Sequence, residues 1–197
     1  MTKTLAYYNQ FAKAYNETTL TIEFQSKREF LLKYLNPHAH ILDLGCGSGR
    51  DSKAFLQQGY EVTAIDGSQE LCQLASETIG QPVKCQLFSE LDDINTYDAV
   101  WACASLLHLP TIELKQTLKK IEKALKDEGY FYASFKYGEF EGYREERFFN
   151  DFTEESFKTL LKDIPTLTII ETEVTTDVIP GRENVSWLNL MMKKMSK

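Results

Sequence analysis

The chain's chemistry concentrates in Ile41-Leu42-Asp43-Leu44-Gly45-Cys46-Gly47-Ser48-Gly49-Arg50. Glycines at 45, 47 and 49 let the backbone turn sharply after an apolar strand and let a ligand approach without Cβ clashes. Asp43, two residues before the first glycine, is foreign to a turn that holds a pyrophosphate, because a carboxylate there repels phosphate. It suits a ligand carrying an ammonium or a sulfonium. A dinucleotide fingerprint, G-x-G-x-x-G, needs glycine at position 50, where this chain has Arg50. Asp66 ends the next apolar stretch, in position to accept both hydroxyls of a ribose.

Other candidates lie further along the chain. His108, in Ser105-Leu106-Leu107-His108-Leu109-Pro110, is apt as a base near neutrality or as the partner of a local hydrogen bond at a helix start. Two variable pieces, Lys136 to Phe149 and Asp177 to Trp187, are dense in polar and aromatic residues. From them Tyr137, Arg144, Arg147 and Arg182 are candidates for holding a second ligand, since a guanidinium grips a carboxylate in fork geometry. Interleaved Glu139, Glu141, Glu145 and Glu146 equally suit a solvated loop with local ion pairs. Tyr8 and Tyr15, in the N-terminal Tyr7 to Tyr15 stretch, either reach a ligand or pack as an aromatic stripe. Cys46, Cys72, Cys85 and Cys103 stand 26, 13 and 18 residues apart, with no ligand spacing to His38, His40 or His108. They read as reduced thiols, and no metal is expected.

Strands alternating with helices must carry these residues. Residues 1–36 read as helical, with Phe24, Leu31 and Leu35 on one face and Asn36-Pro37 as the stop. Strands are expected at 39–44, 60–66, 83–87, 97–103 and 130–135. Between them lie helices ending at Gly59 and Gly80, and one opened by Pro110-Thr111 with Leu114, Leu118, Ile121 and Leu125 on its apolar side. Gly129 is expected at the C′ position of that last helix. Lys136 to Asp151 reads as a loop or lid, and Thr153 caps a helix with Glu154 and Glu155 in its first turn. Stretches 166–176 and 185–192, joined through Pro180-Gly181, predict an antiparallel pair at a sheet edge.

With 197 residues, 43% hydrophobic and 26% charged, the chain reads as a single globular domain. It is long enough to bury roughly 70% of its unfolded surface without staples. A net charge of −7 argues against nucleic acid or anionic membrane as partners. Met1 to Tyr15 shows no continuous apolar run of a signal peptide, and no stretch is long enough to span a bilayer. A cytoplasmic location is expected. The domain divides into a helical cover (1–36), a cofactor-binding core (37–136) and an acceptor-side loop with edge strands (137–197).

From Ile41 to about Phe135 these motifs resemble the class I S-adenosylmethionine-dependent methyltransferases: the D-x-G-x-G-x-G loop, the acid ending strand two, and the Tyr97-Asp98-Ala99-Val100-Trp101 strand. In detail the chain looks closest to small bacterial methyltransferases of the tellurite-resistance type. It departs in having Asp127-Glu128-Gly129 where the family has a glycine pair, and Phe88-Ser89-Glu90 where many relatives place an adenine-binding Asp. Ala102-Cys103-Ala104-Ser105 replaces the tetrapeptide of adenine-amine methyltransferases. The resemblance implies an α/β, Rossmann-like sandwich with sheet order 3-2-1-4-5-7-6 and strand seven antiparallel. It implies S-adenosyl-L-methionine as cofactor and S-adenosyl-L-homocysteine as product. Gly45, Cys46, Gly47 and Gly49 would border the methionine part and ribose, Asp43 the amino group, Asp66 the ribose diol, and Gly67, Ser68, Leu87 and Phe88 the adenine. Ala102 and Cys103 would lie beside the sulfur, with Tyr8 and Tyr15 over the cofactor. The implied activity is methyl transfer to a small-molecule acceptor by in-line displacement, with His108 as the candidate base. The alternative is a protein of the same fold that binds or senses the cofactor without turnover. A monomer or weak homodimer is expected.

Overall fold

Both faces of β1 (His40–Leu44) are covered, which explains its near-continuous apolar run. Ile41 points to one side and Leu42 and Leu44 to the other, where they join separate cores. The structure is a computed structural model and describes residues 2–196. Three helices come first: α1 (Lys3–Gln10), α2 (Ala12–Leu20) and α3 (Gln25–Leu32). After β1 follow α4 (Arg50–Gln57), β2 (Glu61–Asp66), α5 (Gln69–Ile79), β3 (Lys84–Cys85), β4 (Tyr97–Ala102), α6 (Thr111–Ala124) and β5 (Leu125–Lys136). A ribbon of β6 (Glu141–Arg144) and β7 (Arg147–Asn150) precedes α7 (Glu154–Leu161), β8 (Leu167–Thr176) and β9 (Ser186–Lys194).

The seven-stranded sheet runs β3-β2-β1-β4-β5-β9-β8, with β9 antiparallel to both neighbours. This is the expected order once the ribbon, a separate two-stranded sheet, is numbered into the chain. The ribbon occupies the segment read as a lid. Strand three shrinks to two residues: Gln86 N–H still bonds to Asp66 O of β2, but Glu90 Oε2 then accepts from Leu87 N–H and the chain enters a 3₁₀ turn, Phe88–Glu90. Gly129 is not a helix C′ residue: α6 runs directly into β5, whose Leu125 pairs with Tyr97. Glycine is required at 129 by close approach, since a Cβ there would lie 2.8 Å from Lys126 O and 3.1 Å from Asp98 O. Among the described residues, no helix is long and apolar enough to cross a membrane.

The larger core sits between the sheet and α6 and α7, around Leu114, Leu118, Phe131, Phe135 and Phe157. The second joins Leu31 of α3 to Phe55, Trp101 and Tyr132. Trp101 stacks on Tyr132 at 4.0 Å between centroids and meets Phe55 edge-on. Its Nε1–H donates to Asp51 Oδ2 at 3.2 Å. Asp51 is buried and also receives Arg28 from α3 (3.0 Å) and Arg50 through Nε (3.0 Å) and Nη2 (2.7 Å). That carboxylate therefore ties α3 to α4 and the sheet. Removing it takes the nearest carboxylate from two largely buried guanidinium groups, so Asp51→Ala is expected to cost about 3–5 kcal/mol in urea unfolding. Lys115→Ala, which breaks only the exposed pair with Asp163, is expected to cost less than about 1 kcal/mol.

Candidate functional site

Three carboxylates meet at the carboxyl ends of β1 and β2, and each is satisfied differently. The turn after β1 places Gly45, Gly47 and Gly49 at φ of +84°, +56° and +75°. Gly45 and Cys46 donate their N–H groups to Ile65 O at 2.9 and 3.0 Å, pinning the turn to β2. Asp66 accepts from Gly47 N–H (2.9 Å) and Ser68 N–H (2.8 Å). Burial pushes its pKa up, while the amides of Ser68, Gly47 and Gly67 oppose that. Asp51 is met by the arginines and indole described above. Asp43 is only 2% exposed and has one hydrogen-bond donor among the described residues, Ser52 Oγ at 2.6 Å. Burial first, then the charge of Asp51, pushes Asp43 up to about 7.

A cavity of about 190 Å³ opens beside this turn. Of the residues expected to hold a cofactor, it is lined by Tyr8, Tyr15, Asp43, Gly45, Cys46 and Cys103. The others lie outside it. Tyr15 covers Gly47, its ring 3.1 Å from where a Cβ would be, and Leu5 of α1 covers Gly67 at 2.9 Å together with Leu87. Phe88 packs on Gly45. Ser68 caps α5 and donates through Oγ to Asn9 Oδ1 at 2.8 Å. Gly49 serves helix packing, because a Cβ there would strike Ile79 and Ala75 of α5. Ala102 is fully buried in the larger core, facing away from the cavity. The surfaces expected to border the methionine part are thus open, whereas side chains of the N-terminal helices lie over those expected to border the ribose and adenine. The backbone there fits a nucleoside: Gly47 and Gly67 form a cradle that Cβ atoms would fill, and Asp66 keeps acceptor capacity beyond what its backbone amides use. Among the described residues no three His, Cys, Asp or Glu side chains gather as a metal centre requires.

His108 ends a 3₁₀ turn on the cavity wall, and its bonds are long-range rather than local. Nδ1 lies 2.7 Å from Phe148 O, so it carries the proton that this carbonyl accepts. Nε2 is then the acceptor for the Tyr8 hydroxyl at 2.8 Å. Burial pushes the ring down to about 4, so it is neutral at physiological pH with both nitrogens engaged, a poor arrangement for a free base. Burial likewise pushes the Cys103 thiol up to about 12, which makes it a neutral wall.

Of the four residues expected to hold a second ligand, Arg147 and Arg182 line the cavity and two do not. Arg144 is engaged by Asp151, with Nη1 donating to Oδ1 at 2.9 Å, and Tyr137 is exposed and hydrogen-bonded to Glu154. Lys136 and Trp187, which bound the two variable pieces but were not singled out within them, also line the cavity, as do Phe24 and Arg50, which the sequence did not suggest for it. The signal for Lys136 was present: it is the polar residue at the carboxyl end of the apolar run Tyr130 to Phe135.

Residues 42–133 match the methyltransferase domain family. The Bacillus subtilis (strain 168) protein YqeM, whose name places it among the methyltransferases, is 32% identical over 67% of this chain and 58% of its own length. The chain spans a little over half the length of the first such relatives it matches. The Burkholderia thailandensis 1,6-didemethyltoxoflavin N1-methyltransferase, crystallised with 1,6-didemethyltoxoflavin and S-adenosylhomocysteine, superimposes with a TM-score of 0.75 at 23% identity, covering 98% of this chain and 85% of that one. The [4+2]-cyclase SpnF superimposes at 0.69 with 16% identity, covering 87% and 81%. Residues 42–133 thus carry the likeness to the methyltransferase domain family, and the sheet has the α/β, Rossmann-like methyltransferase fold.

Proposed function

We propose that the chain is an S-adenosylmethionine-dependent methyltransferase acting on a small-molecule acceptor. One observation carries the reading: a buried carboxylate with a single hydroxyl donor, Asp43, borders the cavity at a glycine turn. Such a group calls for a cationic ligand, and the amino acid end of S-adenosylmethionine supplies an ammonium. When bound, the cofactor offers a methyl group on a sulfonium, whose positive charge already makes a good leaving group. What remains for the protein is alignment and exclusion of water. Asp43 would hold the ammonium and Asp66 the ribose hydroxyls, with Gly45 and Gly47 leaving room for both. Tyr15 and Leu5 would withdraw to admit the nucleoside. Cys103 and Gly45 form the wall beside the methyl path. His108 acts as a positioning residue, because its Nε2 holds the Tyr8 hydroxyl at the cavity.

Calorimetric titration with S-adenosylmethionine, S-adenosylhomocysteine and NAD tests the reading. Micromolar binding of the first two and none of NAD is expected, and silence from both sulfur nucleosides would refute it. Asp66→Ala is expected to weaken binding by on the order of 1.5–3 kcal/mol, through loss of charged hydrogen bonds to the diol.

Asp43 adds a pH dependence with a definite sign. In the free protein it is protonated below about 7, and the ionised form receives the ammonium. Affinity should therefore fall as pH drops from about 7 to about 5.5, by up to roughly tenfold per unit, and Asp43→Asn should remove that slope. Stability moves the other way. A carboxyl whose folded pKa is raised contributes stability at low pH that is lost as pH rises toward about 7. The stability of wild type relative to Asp43→Asn should decline across that range by at most about 1.4 kcal/mol per unit, read from urea midpoints at each pH.

A further inference from the structure

Five cationic side chains line the cavity, and two are already neutralised: Arg50 by Asp51 at 2.7 Å and Lys27 by Glu173 at 2.7 Å. Lys136, Arg147 and Arg182 have no carboxylate partner among the described residues. Lys136 closes β5 opposite Trp187 of β9, with Nζ 4.6 Å from the centre of the Phe149 ring. The Arg147 guanidinium lies 5.2 Å from the centre of that same ring and donates to Tyr8 Oη at 3.5 Å. Arg182 comes from the turn between β8 and β9, where its N–H bonds to Ile179 O at 3.1 Å.

The acids on the cavity wall are committed elsewhere. Asp51 is held by Arg28 and Arg50. Asp177 accepts from Ile179 N–H at 2.9 Å and from Trp187 Nε1–H at 3.1 Å. Asp43 belongs to the glycine turn. His108 is neutral and adds no charge of either sign. Gathering three like charges in a partly buried chamber, none of them ion-paired among the described residues, is costly, and in a chain of net charge −7 nothing in composition requires it. Burial, with the charges of Arg144, Arg147 and Arg182, pushes the Lys136 ammonium down, while Asp151 opposes.

We propose that the acceptor is a small anion, bearing a carboxylate or phosphate on an apolar body, whose oxyanion is bound by Lys136, Arg147 and Arg182. Phe24, Ile179 and Trp187 on the same cavity meet its apolar part. Two guanidinium groups and one ammonium supply directed donors for such an oxyanion. The inference rests on the methyltransferase reading, because it takes this chamber as the place of the acceptor.

The test is equilibrium titration of the full chain, saturated with S-adenosylhomocysteine, followed by tryptophan fluorescence. Benzoate, phenyl phosphate, benzylamine and benzyl alcohol serve as probes of matched size and different charge. At least one of the two anions is expected to bind about tenfold tighter than benzyl alcohol, with benzylamine weakest, and added salt should reduce the difference. The tighter of benzoate and phenyl phosphate identifies the oxyanion. Lys136→Met, Arg147→Met and Arg182→Met should each weaken anion binding roughly threefold to tenfold. Benzyl alcohol or benzylamine binding as tightly as both anions would overturn the proposal. That comparison uses the unaltered chain, so a variant that fails to fold does not blur the result. Calorimetry with S-adenosylhomocysteine separates the two readings: if it binds without anion preference, the anion proposal alone fails. If anions bind and it does not, the oxyanion site stands and the methyltransferase reading fails.

Discussion

The carboxylate of Asp43 is the constraint around which this site is organised. A parallel sheet brings the ends of β1 and β2 together, and with the first turn of α4 this gathers Asp43, Asp51 and Asp66 near the glycine turn. Ionised carboxylates so close and so buried must each find donors or take up protons. Asp51 takes two arginines and an indole, and Asp66 takes backbone amides that the turn itself supplies. Asp43 is left with one serine hydroxyl and a pKa pushed to about 7. The fold thereby leaves one carboxylate with a single donor, the group proposed above to receive the cofactor's ammonium.

The cavity has two sides with opposite character. On the turn side lie acids and glycines, the surfaces proposed above for a cationic nucleoside. On the side of β5, β7 and the β8–β9 turn lie aromatic rings and cations that make no ion pair among the described residues. The N-terminal helices bridge the two, because Tyr15 lies on Gly47 while Tyr8 bonds to His108 and accepts from Arg147. One short segment therefore touches both halves. The aromatic stripe of α1 and α2 is at once packing and cavity wall, so the two readings of those tyrosines are not exclusive.

The ribbon β6–β7 shows how near neighbours acquire different roles. Arg144 and Arg147 face each other in register across the turn. Asp151, following β7, captures Arg144 and leaves Arg147 to the cavity. A seven-residue separation between Arg144 and Asp151 in an irregular segment does not reveal that pairing, because it forms only when the ribbon folds back. Fold similarity to a cyclase as well as to methyltransferases makes the same point at larger scale: the sheet supports a site, and the side chains around it decide the chemistry.

The sequence by itself determined the alternation of strands and helices, the glycine turn and the acids at its two strand ends. These are local properties: apolar periodicity, residues that tolerate positive φ, and a carboxylate where a strand stops. It also carried the motif that relates residues 42–133 to the methyltransferases. Only the tertiary structure decided which polar groups remain available. Gly49 went to helix packing, Ala102 to the core and Arg144 to an ion pair, while His108 was neutralised by burial. Lys136 and Trp187 met across β5 and β9, far apart in the chain. Availability depends on which partners the fold delivers within hydrogen-bond reach, and that depends on long-range packing rather than on spacing along the chain.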